Sequence, residues 1–143
     1  VVASDHAPHT KEEKNKSYFK APSGGPLVQH ALVAMLDLVH DGLLPVEKVV
    51  DLMAHRVARL FRTADRGFIR PGMKADLVVV QPNDPWTVHE DNVMSKCGWS
   101  PFQGHTFKSR VHQTWVNGTL VWDGQRITTA HGHHVGERLI FAR

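Results

Sequence analysis

Val1-Val2-Ala3-Ser4-Asp5-His6-Ala7-Pro8-His9 opens the chain and decides how the rest is read. A short β-branched run gives way to polar residues, the pattern of a buried parallel strand delivering side chains at its C-terminal end. In parallel α/β folds that end carries the chemistry. No initiator methionine precedes the run, so the expectation is of a chain entered midway, a segment of something longer.

Within this stretch Asp5 and His9 are the candidate functional groups. A carboxylate and an imidazole where a strand becomes a loop are groups that hold a metal or move a proton. The spacing D-H-x-x-H has no register like that of a helix-borne zinc site, so solvated strand-end residues remain an equal reading on spacing alone. Strand alternation turns His6 away from Asp5 and gives it a structural part.

Outward from there, Thr10 to Lys20 is rich in Lys and Glu and reads as a long exposed loop, closed by Ala21-Pro22-Ser23-Gly24-Gly25-Pro26. Its charge run is a solvated face. Pro26 suits the first turn of a helix in which Leu27, Ala31, Ala34, Met35 and Leu38 recur at helical spacing until Asp41-Gly42. A second helix is expected from Pro45 through Val46, Val49, Val50, Met53 and Val57, with a break near His55. Beyond Asp65 the rhythm changes to strands: Gly67-Phe68-Ile69, then Ala75 to Val80, then a hairpin from Val111 to Trp122 turning at Asn117-Gly118. Two units follow, residues 1–63 and 64–143, with the boundary at 63 to 66. There is no internal repeat.

Composition narrows the function classes. The 143 residues are 41% hydrophobic and 22% charged, as in a globular chain with one ordinary core. The net charge of +3 comes from scattered Lys and Arg interleaved with acids, which argues against nucleic-acid binding. Cys97 is the single cysteine, so no internal disulfide forms and the cytoplasm is the expected compartment. With no His or Asp constellation beside it, Cys97 is a packing residue rather than a nucleophile. No apolar run has the length of a membrane span. The His131-Gly132-His133-His134 cluster invites a metal reading but fits adventitious chelation better. Asp76, ahead of a Val run, satisfies backbone donors at a strand start. Trp99 and Phe102 are read as core or interface aromatics.

Longer stretches add a resemblance. Ser4 to Thr10 with Glu12-Glu13-Lys14 is similar to the "DHAPH…EEK" segment of dihydroorotases in the amidohydrolase superfamily. Gly98-Trp99-Ser100-Pro101-Phe102 resembles that family's "GWSPF" stretch, and Gly72 to Leu77 the superfamily's "PGxxADL" strand. The resemblance implies an α/β fold: the C-terminal βα part of a metal-dependent (β/α)8 barrel over residues 1–63, followed by a small β-sandwich domain over 64–143. It implies Asp5 as both a metal ligand and the proton shuttle, and His9 as a partner of the substrate's carboxylate. Gly25 and Pro26 would offer backbone groups to a pyrimidine ring, although Ser23-Gly24-Gly25-Pro26 departs from the family's commoner order. It further implies Zn²⁺ in a binuclear site whose other ligands lie upstream. Implied partners are dihydroorotate or carbamoyl aspartate, the rest of the barrel, a second copy in a homodimer, and aspartate transcarbamoylase. Dihydropyrimidinases, hydantoinases and allantoinases share the Ser-Asp-His step without the Ala-Pro-His continuation. A noncatalytic scaffold of the same ancestry is the reading from a different class.

Overall fold

The computed structural model describes residues 1–129 and 134–142. Thr10 opens the first helix, α1 (Lys11–Lys14). Its hydroxyl accepts the Glu13 N–H at 3.2 Å, while the Glu13 carboxylate accepts the Thr10 N–H at 2.9 Å. Two otherwise orphaned donors are thereby satisfied. The expected loop from Thr10 to Lys20 is corrected over these four residues.

Helix α2 (Ala31–His40) begins at Ala31 rather than Pro26. The backbone between is spent on other bonds: the Val28 N–H donates to His6 Nδ1 at 3.3 Å, and the His30 N–H closes a turn onto the Leu27 carbonyl at 3.2 Å. The second helical run opens after Pro45, as α3 (Val46–Val50), a π-type turn (Asp51–His55) and α4 (Arg56–Leu60). The expected break near His55 is a widened turn inside a continuous helix. His55 leaves the helix surface to meet its neighbours, with Nδ1 2.7 Å from the Gly67 carbonyl and its ring stacked 4.6 Å from Phe68.

That stacking also explains why Gly67 to Ile69 is not a strand. Phe68 is held against His55, with the Arg59 and Arg70 guanidinium groups 5.3 and 4.7 Å from its centroid. Nor do Val1 to Ala3 form the expected buried strand. Among the described residues no strand flanks them, and the Val2 N–H reaches only the Leu52 carbonyl, at 3.2 Å. An extended run without neighbours has no ladder to join.

Strands β1 (Leu77–Gln81), β2 (Trp86–Thr87), β3 (Thr106–Phe107), β4 (Arg110–Val116) and β5 (Thr119–Trp122) make two antiparallel sheets. The larger has the order β1-β4-β5, and the smaller pairs β2 with β3. The β4–β5 hairpin turns at Asn117 and Gly118, both with positive φ (49° and 77°). Asp76 fixes that turn: one carboxylate oxygen accepts the Asn117 N–H at 2.8 Å and the other pairs with Arg66.

The main apolar cluster is Val33 of α2 with Val88 and Phe107, flanked by Trp86, Phe102 and Val111. Buried His30 packs against both Phe107 and Trp86, at centroid distances of 5.6 and 5.9 Å, and those two rings also touch each other at 5.5 Å. The core therefore draws on sequence from both sides of residue 63. Leu77, Val78 and Val79 leave β1 exposed on both faces. Among the described residues no helix is long and apolar enough to cross a membrane.

Candidate active site

The Asp5–His9 segment is seated on the turn that precedes α2. His6 forms a parallel bridge with Gly25, and the Ala7 N–H donates to the Gly25 carbonyl at 3.0 Å. Such close approach requires a glycine at position 24. There φ is +91°, and a Cβ would lie 2.5 Å from that of Ala7. Lys14 ties α1 to the same turn, its ammonium donating to the carbonyls of Pro22 at 2.7 Å and Gly24 at 3.1 Å.

Asp5 stands exposed with φ at 45°, a left-handed conformation that Asp tolerates better than most residues. His9 is half-buried. Its Nδ1 faces the Glu13 carboxylate at 3.6 Å, so Nε2 is the ring atom turned away from that partner. The Thr10 N–H holds the Glu13 carboxyl below its ordinary value, with His9 and Lys16 acting in the same direction. Glu13 is thus an anion fixed beside the imidazole. The His9 main chain is fixed as well, because its carbonyl accepts the Trp99 indole N–H at 2.7 Å.

Trp99 also covers Gly25, its ring 3.7 Å from where a Cβ there would stand. Gly25 and Pro26 are both buried and form the floor of the segment. A groove of about 400 Å³ runs past Trp99, Ser100 and Gln103 to Lys11 and Lys14, and a Lys11–Glu90 ion pair crosses it.

The structure thus gathers His9, Gly25 and Pro26 around one turn and puts Asp5 one residue before the His6–Gly25 bridge. His6 has the structural part expected of it, accepting the Val28 N–H. Sequence reasoning missed two neighbours. Glu13 had a local signal, the Thr10-x-x-Glu13 spacing of a reciprocal cap. Trp99 had none, since its partner lies 90 positions away. Cys97 packs behind Trp99, its thiol 3.6 Å from the Trp99 carbonyl. His131 and His133 lie outside the described residues.

Comparison with known proteins places the chain in a family. Residues 18–122 match the family model described as "Amidohydrolase family". The chain belongs to the amidohydrolase family. A dihydroorotase of Halobacterium salinarum is 43% identical over 135 residues, 94% of this chain and 32% of that protein. A dihydroorotase of Pyrococcus furiosus is 33% identical over 140 residues, 98% of this chain, a match long enough to include Asp5 through His9. It too is covered over 32% of its own length. Among solved structures, the D-hydantoinase (dihydropyrimidinase) of Thermus sp. superposes with a TM-score of 0.80 at 26% identity, over 86% of this chain and 28% of that one. The chain therefore spans about a third of the length of the curated relatives it matches.

Membership of the amidohydrolase family implies a metal cofactor. Among the described residues no three His, Cys, Asp or Glu side chains converge on a point where an ion would sit. One donor fits: Asp5 presents an exposed carboxylate at the mouth of the seated segment, suited to a single ligand position on a hard or borderline cation. A complete ligand set would need residues from outside the described ones.

Proposed function

We propose that this amidohydrolase chain is the C-terminal part of a dihydroorotase, which interconverts N-carbamoyl-L-aspartate and L-dihydroorotate in pyrimidine biosynthesis. The observation that carries the reading is His9. Its ring faces the Glu13 carboxylate across 3.6 Å and its main chain is held by an indole, in a chain whose sequence relatives are dihydroorotases. An imidazole oriented in this way suits a substrate that bears a carboxylate; dihydrouracil has none to offer it.

In this reading Asp5 would be one ligand of Zn²⁺ in a binuclear site. When bound, the metal would polarise the ring carbonyl and lower the pKa of the attacking water toward about 7. Asp5 takes the proton from the attacking water and delivers it to the ring amide nitrogen as the C–N bond breaks; in the reverse direction it removes that proton as the ring closes. His9 donates to the substrate's carboxylate and fixes its orientation. Gly25 and Pro26 line the floor and offer backbone groups to the ring. Residues 1–63 belong to the end of a (β/α)8 barrel and 64–143 to a small sandwich domain. The enzyme works in the cytoplasm as a homodimer, with aspartate transcarbamoylase as a partner.

The second reading is a dihydropyrimidinase-type enzyme, a related kind of protein on which the chain superposes. Turnover of dihydroorotate, dihydrouracil and allantoin by the intact metal-loaded protein separates the two. Preference for dihydroorotate, with a raised KM in His9→Ala, is the expected result. Preference for either of the others, or an unchanged KM, would refute the substrate assignment.

A further inference from the structure

We infer that Trp99 is a positioning residue for substrate recognition, acting through the main chain of His9. The inference rests on the assignment of His9 to the substrate's carboxylate. An indole N–H only donates, and here it donates to the His9 carbonyl at 2.7 Å. The same residue closes a tight turn, its N–H reaching the Ala7 carbonyl at 3.0 Å, so anchoring its carbonyl fixes the stem from which the imidazole projects. The ring also lies over Gly25. One rigid side chain therefore touches both segments that make up the candidate site, the Asp5–His9 run and the floor beneath it.

Trp99 is itself well anchored. The next residue, Ser100, is buried, its hydroxyl accepting the Phe102 N–H at 3.1 Å and lying 3.2 Å from His30 Nδ1. Phe102 then packs on Phe107, with ring centroids 5.2 Å apart. The position of the indole is thus tied to the core by short links, and the core's order is passed to the loop that carries His9. Misplacing a binding group by a small distance is enough to weaken binding severalfold.

The test uses the intact metal-loaded protein with dihydroorotate. Trp99→Phe removes the donor together with the distal ring edge that lies over Gly25. The usual net worth of such a bond corresponds to a KM raised about 3- to 10-fold, with kcat within about twofold. In the His9→Ala background the same substitution should add no further rise, because a group that acts through His9 has nothing left to position. Should Trp99→Phe fold poorly, replacement by benzothienylalanine preserves the shape while exchanging the N–H for sulfur, and the same rise is expected. An unchanged KM in an N–H-deleted variant overturns the inference, as does an equal additional rise on top of His9→Ala. Failure of the underlying reading looks different: the wild type does not turn over dihydroorotate, or His9→Ala leaves KM untouched, and either result overturns both.

Discussion

Gly24→Ala puts the seating of the Asp5–His9 segment under direct stress. The substitution carries two separable costs. A left-handed φ of +91° with a side chain costs about 1–2 kcal/mol. The added methyl would also stand 2.5 Å from Ala7 Cβ, and relieving such overpacking costs about 1–3 kcal/mol. Together they reach about 2–5 kcal/mol if the segment stays in place. If it instead lifts away, the cost falls on the site, and KM for dihydroorotate rises while global stability changes little. The Ala7→Gly/Gly24→Ala double variant distinguishes the terms. It removes the clash but keeps the strained φ, and so recovers about 1–2 kcal/mol after the entropic cost of the new glycine. Urea denaturation and steady-state kinetics on the single and double variants read both quantities. A Gly24→Ala protein with wild-type denaturation midpoint and wild-type KM, or a double variant no better than the single, would refute the close seating of these loops.

Three further perturbations probe other parts of the structure. Asp5→Asn keeps a residue at ease with positive φ, so the fold should be retained by circular dichroism while turnover falls by at least about a hundredfold; loss of less than tenfold would count against Asp5 as proton carrier. Phe107 is fully buried, and Phe107→Ala should cost about 3–5 kcal/mol in chemical denaturation, with a loss under about 1 kcal/mol contradicting its place in the core. Burial holds His30 below the ordinary imidazole range. Below about pH 6.5 the unfolded chain takes up this proton before the folded one does, so stability should fall on acidification by up to about 1.4 kcal/mol per pH unit. His30→Phe should flatten that slope between pH 6.5 and 5, and an unaltered slope would contradict the assignment.

Legibility in the sequence tracked the range of the interaction. Asn117-Gly118 announced its hairpin because positive φ at both turn positions is a local demand. Asp76 was read as an acceptor of backbone donors, and it is one, but the donor is the Asn117 N–H 41 positions on, which the sequence around Asp76 does not name. The short helix α1 was also written locally, in the spacing of Thr10 and Glu13, but a run of charges conceals a cap that lasts a single turn. The opening strand and the Gly67–Ile69 strand failed on the opposite ground. Their composition suits extended backbone, yet a strand exists only where a neighbour pairs with it, and Phe68 found His55 instead. At the site, Asp5 and His9 stood out by residue type and Gly25-Pro26 by resemblance. The contact that fixes His9 did not, because nothing near Trp99 in sequence names its acceptor.

The distance between those two partners bears on how the protein is made. The hydrogen bond from Trp99 to His9 joins residues 90 positions apart. At synthesis rates of about 5–20 residues per second, a ribosome takes roughly 5–20 s to reach the indole after releasing the imidazole. For that interval the nascent chain carries its chemical groups on a segment that lacks its anchor. Closing a loop of this length is entropically costly until the intervening core has formed, so the recognition loop is among the last parts to acquire its shape. Order in this loop therefore serves as a signature of completed folding, and truncation between Gly25 and Trp99 would leave a chain with Asp5, His9 and Glu13 but without the indole that anchors the His9 carbonyl.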